Sequence, residues 1–546
     1  MSMPMAEPAT LADLFGNMPR FGDREALLFP DCRCTFADLH RSATGWAKLF
    51  MAMGIGRDDK IGLLMPTSPE FVEILLAANA VGAVLVPLNT RFQPGELAYT
   101  IRNADVALLV TTSLIDDVVD FGDRLLAALP SLATQPADGA LDLPEAPCLR
   151  HVVVFGGNSR PPFLSVEAAT ALYPPVGDEA LARRMAEADP SDIAVMLYTS
   201  GTTSHPKGCL VSNDALLFNT GNMIDRYHIG PDDRLWAPLP IFHIAGILPV
   251  LIALRLGIPV CLMQQFNGRD GLRQLREERV TCGWPCFVTI LQDVIDAEGF
   301  DTADFSSVRI LISNPAVVPP AVSELLERRM PNMVQIGNFG MTESIGPCTA
   351  SRPEEDRATR MARLGTPFSG WDIRIRDAET GHDLPVGENG EIVFRSRGMI
   401  SGYYKAPEKQ AEAFTADGFL RSGDIGSFDQ HGQIMFHGRL KDMMKVGGEN
   451  VAAAEVEAVL NAHAAVKLAQ VVPVSHPRYQ EVPAAFIQLN EGFSASETEL
   501  IDFCRGKIAN FKLPRAVRFI DEWPMSTSKI QKFRLREMAE AMINAR

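Results

Sequence analysis

Tyr198-Thr199-Ser200-Gly201-Thr202-Thr203-Ser204-His205-Pro206-Lys207-Gly208 is the stretch on which the reading of this chain turns. It follows an apolar run, Ile193-Ala194-Val195-Met196-Leu197, that reads as a buried strand. It precedes a segment opening at Ser212, a residue suited to cap a helix. Strand, small polar loop and helix make the layout of a phosphate cradle. Small residues let backbone N–H groups face an anion, hydroxyls add donors, and Lys207 adds a point charge. The spacing Gly-x4-Gly-Lys-Ser/Thr is absent, which excludes the P-loop of nucleotide triphosphatases. Alone, the loop reads equally well as a Ser/Thr-rich surface turn, so the rest of the chain has to decide.

Working outward, 546 residues are too many for one ordinary domain and predict two or three. A net charge of −16 disfavours nucleic acid as a partner and argues against adsorption to anionic membranes. An anionic ligand must then be met by local positive groups. Nine cysteines are scattered without metal-like spacing, as expected of reduced thiols in a cytoplasmic protein. Met1 to Thr10 has neither the basic start nor the apolar stretch of a secretory signal. Two long apolar tracts, Phe71 to Leu88 and Ile244 to Met263, carry polar residues or prolines and read as core elements, with no integral membrane segment.

Between residues 1 and 190 helical and extended patterns alternate. Thr35 to Met53 reads as an amphipathic helix, Lys60 to Met65 as a strand, Glu70 to Asn79 as a helix capped by Ser68 with Pro69 at its first position, and Val84 to Leu88 as a strand. Such alternation predicts βαβ units and an α/β fold with mostly parallel sheets. Gly54-Ile55-Gly56 lacks the third glycine and the preceding strand of a dinucleotide fingerprint and reads as a turn. Residues 130–148, rich in Pro, Ala and Asp, read as an exposed loop or insertion. Residues 442–546 read as a small α+β domain, helical over Ala453 to Leu460 and Glu497 to Ala509, extended over Val466 to Pro473 and Ala484 to Leu489.

Further motifs follow the loop: Pro240-Ile241-Phe242-His243-Ile244-Ala245-Gly246, Leu311-Ile312-Ser313-Asn314-Pro315-Ala316, Asn338-Phe339-Gly340-Met341-Thr342-Glu343, Arg421-Ser422-Gly423-Asp424, Gly438-Arg439-Leu440-Lys441, Lys445-Val446-Gly447-Gly448, and Pro524-Met525-Ser526-Thr527-Ser528-Lys529-Ile530-Gln531-Lys532. Singly, each has a bland reading. A His beside an apolar helix is usually structural, and an Asp beside Gly usually makes an Asx-turn. Taken in order, from about residue 30 to the C-terminus, the set resembles the adenylate-forming superfamily of acyl-CoA synthetases, firefly luciferase and peptide-synthetase adenylation domains.

The resemblance implies a large N-terminal domain of mixed and parallel sheets flanked by helices (1–438), a hinge (439–441) and a small mobile α+β C-terminal domain (442–546). It implies ATP, Mg²⁺ and coenzyme A as cofactors. Thr199, Ser200, Gly201, Thr202, Thr203 and Lys207 would bind phosphates, and Thr202 with Glu343 would hold the metal. Asn314, Pro315 and Ala316 would turn against adenine, and Asn338, Phe339, Gly340 and Met341 would also bind the nucleotide, with Phe339 stacking on adenine. Thr342 would donate to the α-phosphate, Asp424 would accept from the ribose hydroxyls, and Arg439 would contact ribose or phosphate. Lys445, Gly447 and Gly448 would meet the CoA pantetheine; His243 would gate or wall the acyl site; Lys441 would be the hinge; Lys529 would be the catalytic lysine, with Lys532 its competitor. The chain departs from the family pattern at Ser204, at Asn314-Pro315, at Phe339 where Tyr is usual, and in a lysine loop one residue short and without its Gly.

The chemistry fits these residue types. A carboxylate has no usable leaving group, and transfer of AMP onto it supplies one. Charge builds at the α-phosphorus, where positioned cations and donors lower the barrier. The expected activity is an ATP-dependent carboxylic acid–CoA ligase that forms an acyl-AMP and then an acyl-CoA thioester. The apolar Trp284-Pro285-Cys286-Phe287-Val288-Thr289-Ile290 favours a fatty, alicyclic or aryl acid. The alternatives are a small cationic acid such as a carnitine-like betaine, held by cation–π attraction, an enzyme loading a carrier-protein thiol in trans, a luciferase-like oxygenase, or a catalytically silent acyl-binding scaffold. A homodimer is a family habit.

Overall fold

A computed structural model gives the architecture and describes residues 7–136, 140–157, 159–199, 206–314, 318–440, 443–446, 449–476, 479–526 and 529–543, with backbone alone at 445, 449, 450, 480, 526, 529 and 541–543. The chain divides into two compact units. The first comprises Met1–Trp284, Gly340–Cys348 and Ser396–Glu412; the second comprises Pro285–Phe339, Thr349–Arg395 and Ala413–Arg546.

The first unit starts from helices whose ends are written locally. Thr35 and Asp38 form a reciprocal capping box at the head of Phe36–Ala52, worth about 1 kcal/mol. Ser68 caps Pro69–Ala80, with Pro69 in the first turn. That second helix is apolar nearly all round and lies in the core. Beside these helices runs an eight-stranded sheet in the order Gly402–Tyr403, Lys207–Ser212, Ile193–Thr199, Val84–Pro87, Lys60–Leu64, Val106–Thr112, His151–Phe155, Leu164–Ser165. From Ile193–Thr199 onward its pairings are parallel, as the alternating pattern predicted. The other edge is antiparallel. A second set of strands in this unit runs Cys282–Gly283, Leu235–Trp236, Val260–Cys261, Glu25–Leu28, Arg33–Thr35.

The apolar tract from Phe71 is the buried helix followed by the strand Val84–Pro87, and the tract from Ile244 is the helix Ile244–Leu256 followed by Val260–Cys261. Among the described residues no helix is long and apolar enough to cross a membrane. Residues 130–148 are largely loop as expected, with a difference in how they pack. Pro130–Thr134 forms a helical turn, and Leu132, Leu143 and Ala146 are buried in the core beneath the large sheet. Those spaced apolar side chains have area to remove from water, which outweighs the loop-like composition around them.

In the second unit Ile310–Ile312 pairs in parallel with Val334–Ile336. Asp372–Arg376, Gly390–Arg395, Leu420–Phe428 and Ile434–Arg439 form an antiparallel sheet. Residues beyond 443 carry cores of their own, with Val456, Leu460, Val471, Ile487 and Leu500 in one and Val474, Phe486, Leu535 and Ala539 in another. Helices Ala453–Asn461 and Glu497–Cys504 pack with strands Val466–His476 and Gln480–Leu489, the expected α+β arrangement. The Glu497 helix stops at Cys504, not Ala509, because Arg505 is extended and Gly506 takes φ +75°.

Candidate active site

The strands on either side of residues 200–205 pair antiparallel. Ile193–Thr199 returns as the strand Lys207–Ser212, with Thr199 opposite Lys207 and Leu197 opposite Cys209. The helix Asn213–Tyr227 begins only after Ser212, which caps it through the Ala215 N–H. The expected strand–loop–helix cradle is therefore corrected. Gly208-Cys209-Leu210-Val211 satisfies its backbone against the neighbouring strand, so the helix N-terminus lies one strand away from the loop. Ser200, Gly201, Thr202 and Thr203 lie outside the described residues. Thr199 Oγ1 is 3.9 Å from the buried Cys209 Sγ, and Lys207 points its ammonium at the face of Tyr403, 4.8 Å from the ring centroid.

Glu343 is buried, 8% exposed. It sits in a turn held by the Met341 N–H on Ser344 Oγ (2.8 Å) and the Ile345 N–H on the Thr342 carbonyl (2.9 Å). The Tyr403 hydroxyl donates to Glu343 Oε1 at 2.9 Å. Burial, and then the Glu343 charge, raise the Tyr403 pKa far above the ordinary phenol value, so Tyr403 remains a neutral donor. Sequence reading missed Tyr403 because this contact joins positions 60 residues apart; the local signal was the glycine-led Ser401-Gly402-Tyr403-Tyr404. Gly340 is required here, since a Cβ would lie 2.1 Å from the Gly346 carbonyl oxygen. Among the described residues no group of three or more His, Cys, Asp or Glu side chains gathers around a cation site. A cation at Glu343 would rest on one carboxylate plus phosphate oxygens and water, which suits Mg²⁺.

His243 is the N-cap residue of Ile244–Leu256, partly exposed, its ring 4.6 Å from that of Phe242. Gly246 fixes this presentation, for a Cβ there would come within 2.4 Å of the Pro240 carbonyl oxygen. Trp284 is buried edge-on against Tyr227. The run from Trp284 is not one continuous wall: Cys286 takes φ +57° and the helix Val288–Ile295 starts after it.

In the second unit Asn314, at φ +50°, accepts the Asn338 N–H on its side chain at 2.6 Å. Asparagine tolerates that left-handed conformation, so the departure from the family turn costs little. Pro315 and Ala316 lie outside the described residues. Phe339, the expected adenine platform, is 5% exposed with its N–H on Thr349 Oγ1, and Gly340 is the exposed member of the motif. Met341 and Thr342 are partly exposed. Asp424 lies not on a tight turn but within the strand Leu420–Phe428, opposite Arg439. Gly423 at φ +71° and Ser422 Oγ, which accepts the Asp424 N–H, locally distort that strand. Arg439 Nε is 3.4 Å from Asp424 Oδ1.

Lys441, Gly447 and Gly448 lie outside the described residues, and Lys445 is described by its backbone, in Met443–Val446. Lys529 opens the second strand of a two-stranded hairpin, opposite Ser526. Lys532 starts the helix Lys532–Ile543 and donates to Glu457 Oε1 (2.6 Å) and the Val471 carbonyl (3.3 Å).

This architecture has known counterparts. The AMP-binding enzyme family model matches residues 14–404, and that of the AMP-binding enzyme C-terminal domain matches 455–529. The chain is 32% identical over 536 residues to a (7a-methyl-1,5-dioxo-octahydro-1H-inden-4-yl)propanoyl:CoA ligase of Mycobacterium tuberculosis, covering 97% of this chain and 98% of the relative. It is 31% identical over 538 residues to the sulfoacetate–CoA ligase of Cupriavidus necator, covering 96% and 97%. The structure of ATP-bound MatB from Rhodopseudomonas palustris superposes with a TM-score of 0.80 at 25% identity, covering 97% of this chain and 99% of the other. Fold and motifs together define an adenylate-forming enzyme. The chain belongs to the AMP-binding enzyme family. Its activity is that of an AMP-forming acid–CoA ligase, with ATP and CoA as substrates and an acyl-AMP preceding the thioester.

Proposed function

We propose that this ligase works on a hydrophobic carboxylic acid, with Mg²⁺ carried by Glu343. The observation that carries the metal assignment is the buried Glu343 carboxylate whose side-chain donor is the uncharged Tyr403 phenol. A lysine or arginine there would cancel the charge a cation needs. Bound at Glu343 and, by resemblance, Thr202, Mg²⁺ would neutralise charge on the triphosphate. Thr199, Ser200, Gly201, Thr203 and Lys207 would position the phosphates, Thr342 the α-phosphate, and Asp424 and Arg439 the ribose. Lys529 would bring its ammonium to the α-phosphorus. The engagement of Lys532 by Glu457 and Val471 supports Lys529 over its competitor.

The acid would lie beside His243 and Phe242. The cationic-acid alternative, which needs an open aromatic face in the run Trp284–Ile290, loses weight because Trp284 is buried. The remaining family roles stand as part of the same reading: Lys441 as hinge, a small domain over 442–546, Lys445, Gly447 and Gly448 against pantetheine, a cytoplasmic location and a homodimer.

Pyrophosphate release measured over a panel of fatty, alicyclic, aryl and betaine acids, with and without CoA and Mg²⁺, tests the proposal. Metal-dependent release, greatest with an apolar acid and completed to thioester by CoA, is the expected outcome. Preference for the betaine, or turnover unaffected by chelating the metal, would refute it.

A further inference from the structure

Glu343 and the hairpin strand Lys207–Ser212 are joined by one short segment, residues 396–404. Its Ile400 N–H donates to the Glu343 carbonyl at 2.9 Å. Its Ser401 and Tyr404 N–H groups donate to Leu210 and Gly208, both at 2.8 Å, and Gly402–Tyr403 pairs antiparallel with Leu210 and Cys209. Asn219, fully buried on the helix Asn213–Tyr227, ties the same segment to the Glu343 turn. Its Nδ2 donates to the Gly398 carbonyl at 2.6 Å and lies 3.2 and 3.3 Å from those of Ser344 and Ile345. Gly398 allows this approach, for a Cβ would sit 2.7 Å from Asn219 Oδ1.

Tyr403 is the side chain through which the segment reaches both functional groups. Its hydroxyl is on Glu343 Oε1 and its ring face is under the Lys207 ammonium. A neutral donor fixes the carboxylate rotamer and occupies one oxygen without spending the negative charge. A lysine held over an aromatic face keeps its own charge as well.

We propose that Tyr403 is the positioning residue of the metal carboxylate: it holds Glu343 Oε1 so that Oε2 is presented to the divalent cation, while its ring seats Lys207. The proposal rests on the reading of Glu343 as the cation ligand. Partners that orient a metal's ligands are worth about 10–100-fold in metal affinity, whereas the ring contact belongs to the nucleotide side.

Tyr403→Phe separates the two, because it deletes the hydrogen bond and keeps the ring. Mn²⁺ binding to the full-length protein is followed by electron paramagnetic resonance with α,β-methylene-ATP present. Affinity for that analogue is measured by calorimetry in chelator, with Glu343→Gln as the companion variant. Tyr403→Phe is expected to weaken Mn²⁺ about tenfold, to leave metal-free analogue affinity within about twofold, and to raise the Mg²⁺ concentration for half-maximal adenylation by a similar factor. Wild-type Mn²⁺ affinity in Tyr403→Phe, with Glu343→Gln impaired, overturns the proposal and spares the Glu343 reading. Wild-type Mn²⁺ affinity in Glu343→Gln overturns both. Equal loss of Mn²⁺ and metal-free analogue binding in Tyr403→Phe also overturns it, since the hydroxyl would then serve the fold and not the metal.

Discussion

The turn carrying Glu343 and the hairpin carrying Lys529 are built in opposite ways. Glu343 is buried, bonded by Tyr403, and braced through its backbone by Ile400. The Lys529 hairpin has two residues in each strand, and among the described residues those strands form a sheet with each other alone. Its base is secured by the Gln531 N–H on the Pro524 carbonyl (2.7 Å), by Ile530 packing against the tail core, and by Lys532 on Glu457. A two-stranded ribbon is marginal by itself, and this one packs on the core through Ile530. On the roles proposed above, the contrast separates a group that is held from one that is delivered. A metal carboxylate has to keep its geometry through binding, while a lysine that serves only the first half-reaction has to come and go.

The sharpest way to break this comparison is to remove each lysine in turn. Lys529→Ala is expected to lower acyl-AMP formation by about 10²–10³, the usual loss when one transition-state-stabilising group goes. Lys532→Ala should leave adenylation near wild type and instead lower the thermal stability of the tail, because it strands a partly buried Glu457. Pre-steady-state pyrophosphate release reads the first effect and differential scanning calorimetry the second. The reverse pattern would make Lys532 the delivered group and the hairpin mere structure.

How much of this was legible in the chain follows from how local each feature is. Thr35, Ser68 and Pro69 cap or begin their helices within four residues of sequence, and the helix bounds read from them hold. The run Lys207–Ser212 was read through as the approach to a helix, because nothing within it distinguishes a strand; what makes it one is its pairing with Ile193–Thr199 and with Gly402–Tyr403. Leu132, Leu143 and Ala146 were masked by the prolines and aspartates around them, and only the sheet above shows them to be core. The motif at 338–343 singled out Glu343 but not its hydrogen-bond donor Tyr403, and nothing local in it foretold that Phe339 would be buried. Motifs name the groups that do chemistry; the partners that aim those groups come from distant sequence and become visible in the fold.

Asp424 stands between the two extremes and sharpens the comparison. It is fixed within a strand, yet its cationic neighbour Arg439 is half exposed, so that pairing contributes little. In the proposed role it would accept hydrogen bonds from the ribose as an anion, worth about 1.5–3 kcal/mol each. Asp424→Asn is therefore expected to raise the KM for ATP about tenfold with kcat within about threefold, the signature of uniform binding. Steady-state kinetics with ATP varied decide it. A fall in kcat with unchanged KM would move Asp424 from holding the nucleotide to aligning it for attack.

The smallest effect tests whether burial and neutral donors alone mark a functional carboxylate. Glu73, on Pro69–Ala80, is 9% exposed, about as buried as Glu343, and is hydrogen-bonded by Trp46 and Ser42. Burial, reinforced by the charge of Glu70 and only partly offset by those donors, raises its pKa to about 7. The folded state thus holds this proton more tightly than the unfolded chain, where Glu titrates near 4.3. The stabilisation is complete below about pH 4.3 and is lost as pH rises through about 7. Glu73→Gln imitates the protonated group, since its amide oxygen still accepts from Trp46 and Ser42. It should raise the unfolding midpoint by about 2–4 °C at pH 8 and scarcely move it at pH 4, with adenylation unchanged. Damage to adenylation equal to that of Glu343→Gln would mean that burial, and not the link from Tyr403 to Lys207, is what sets Glu343 apart.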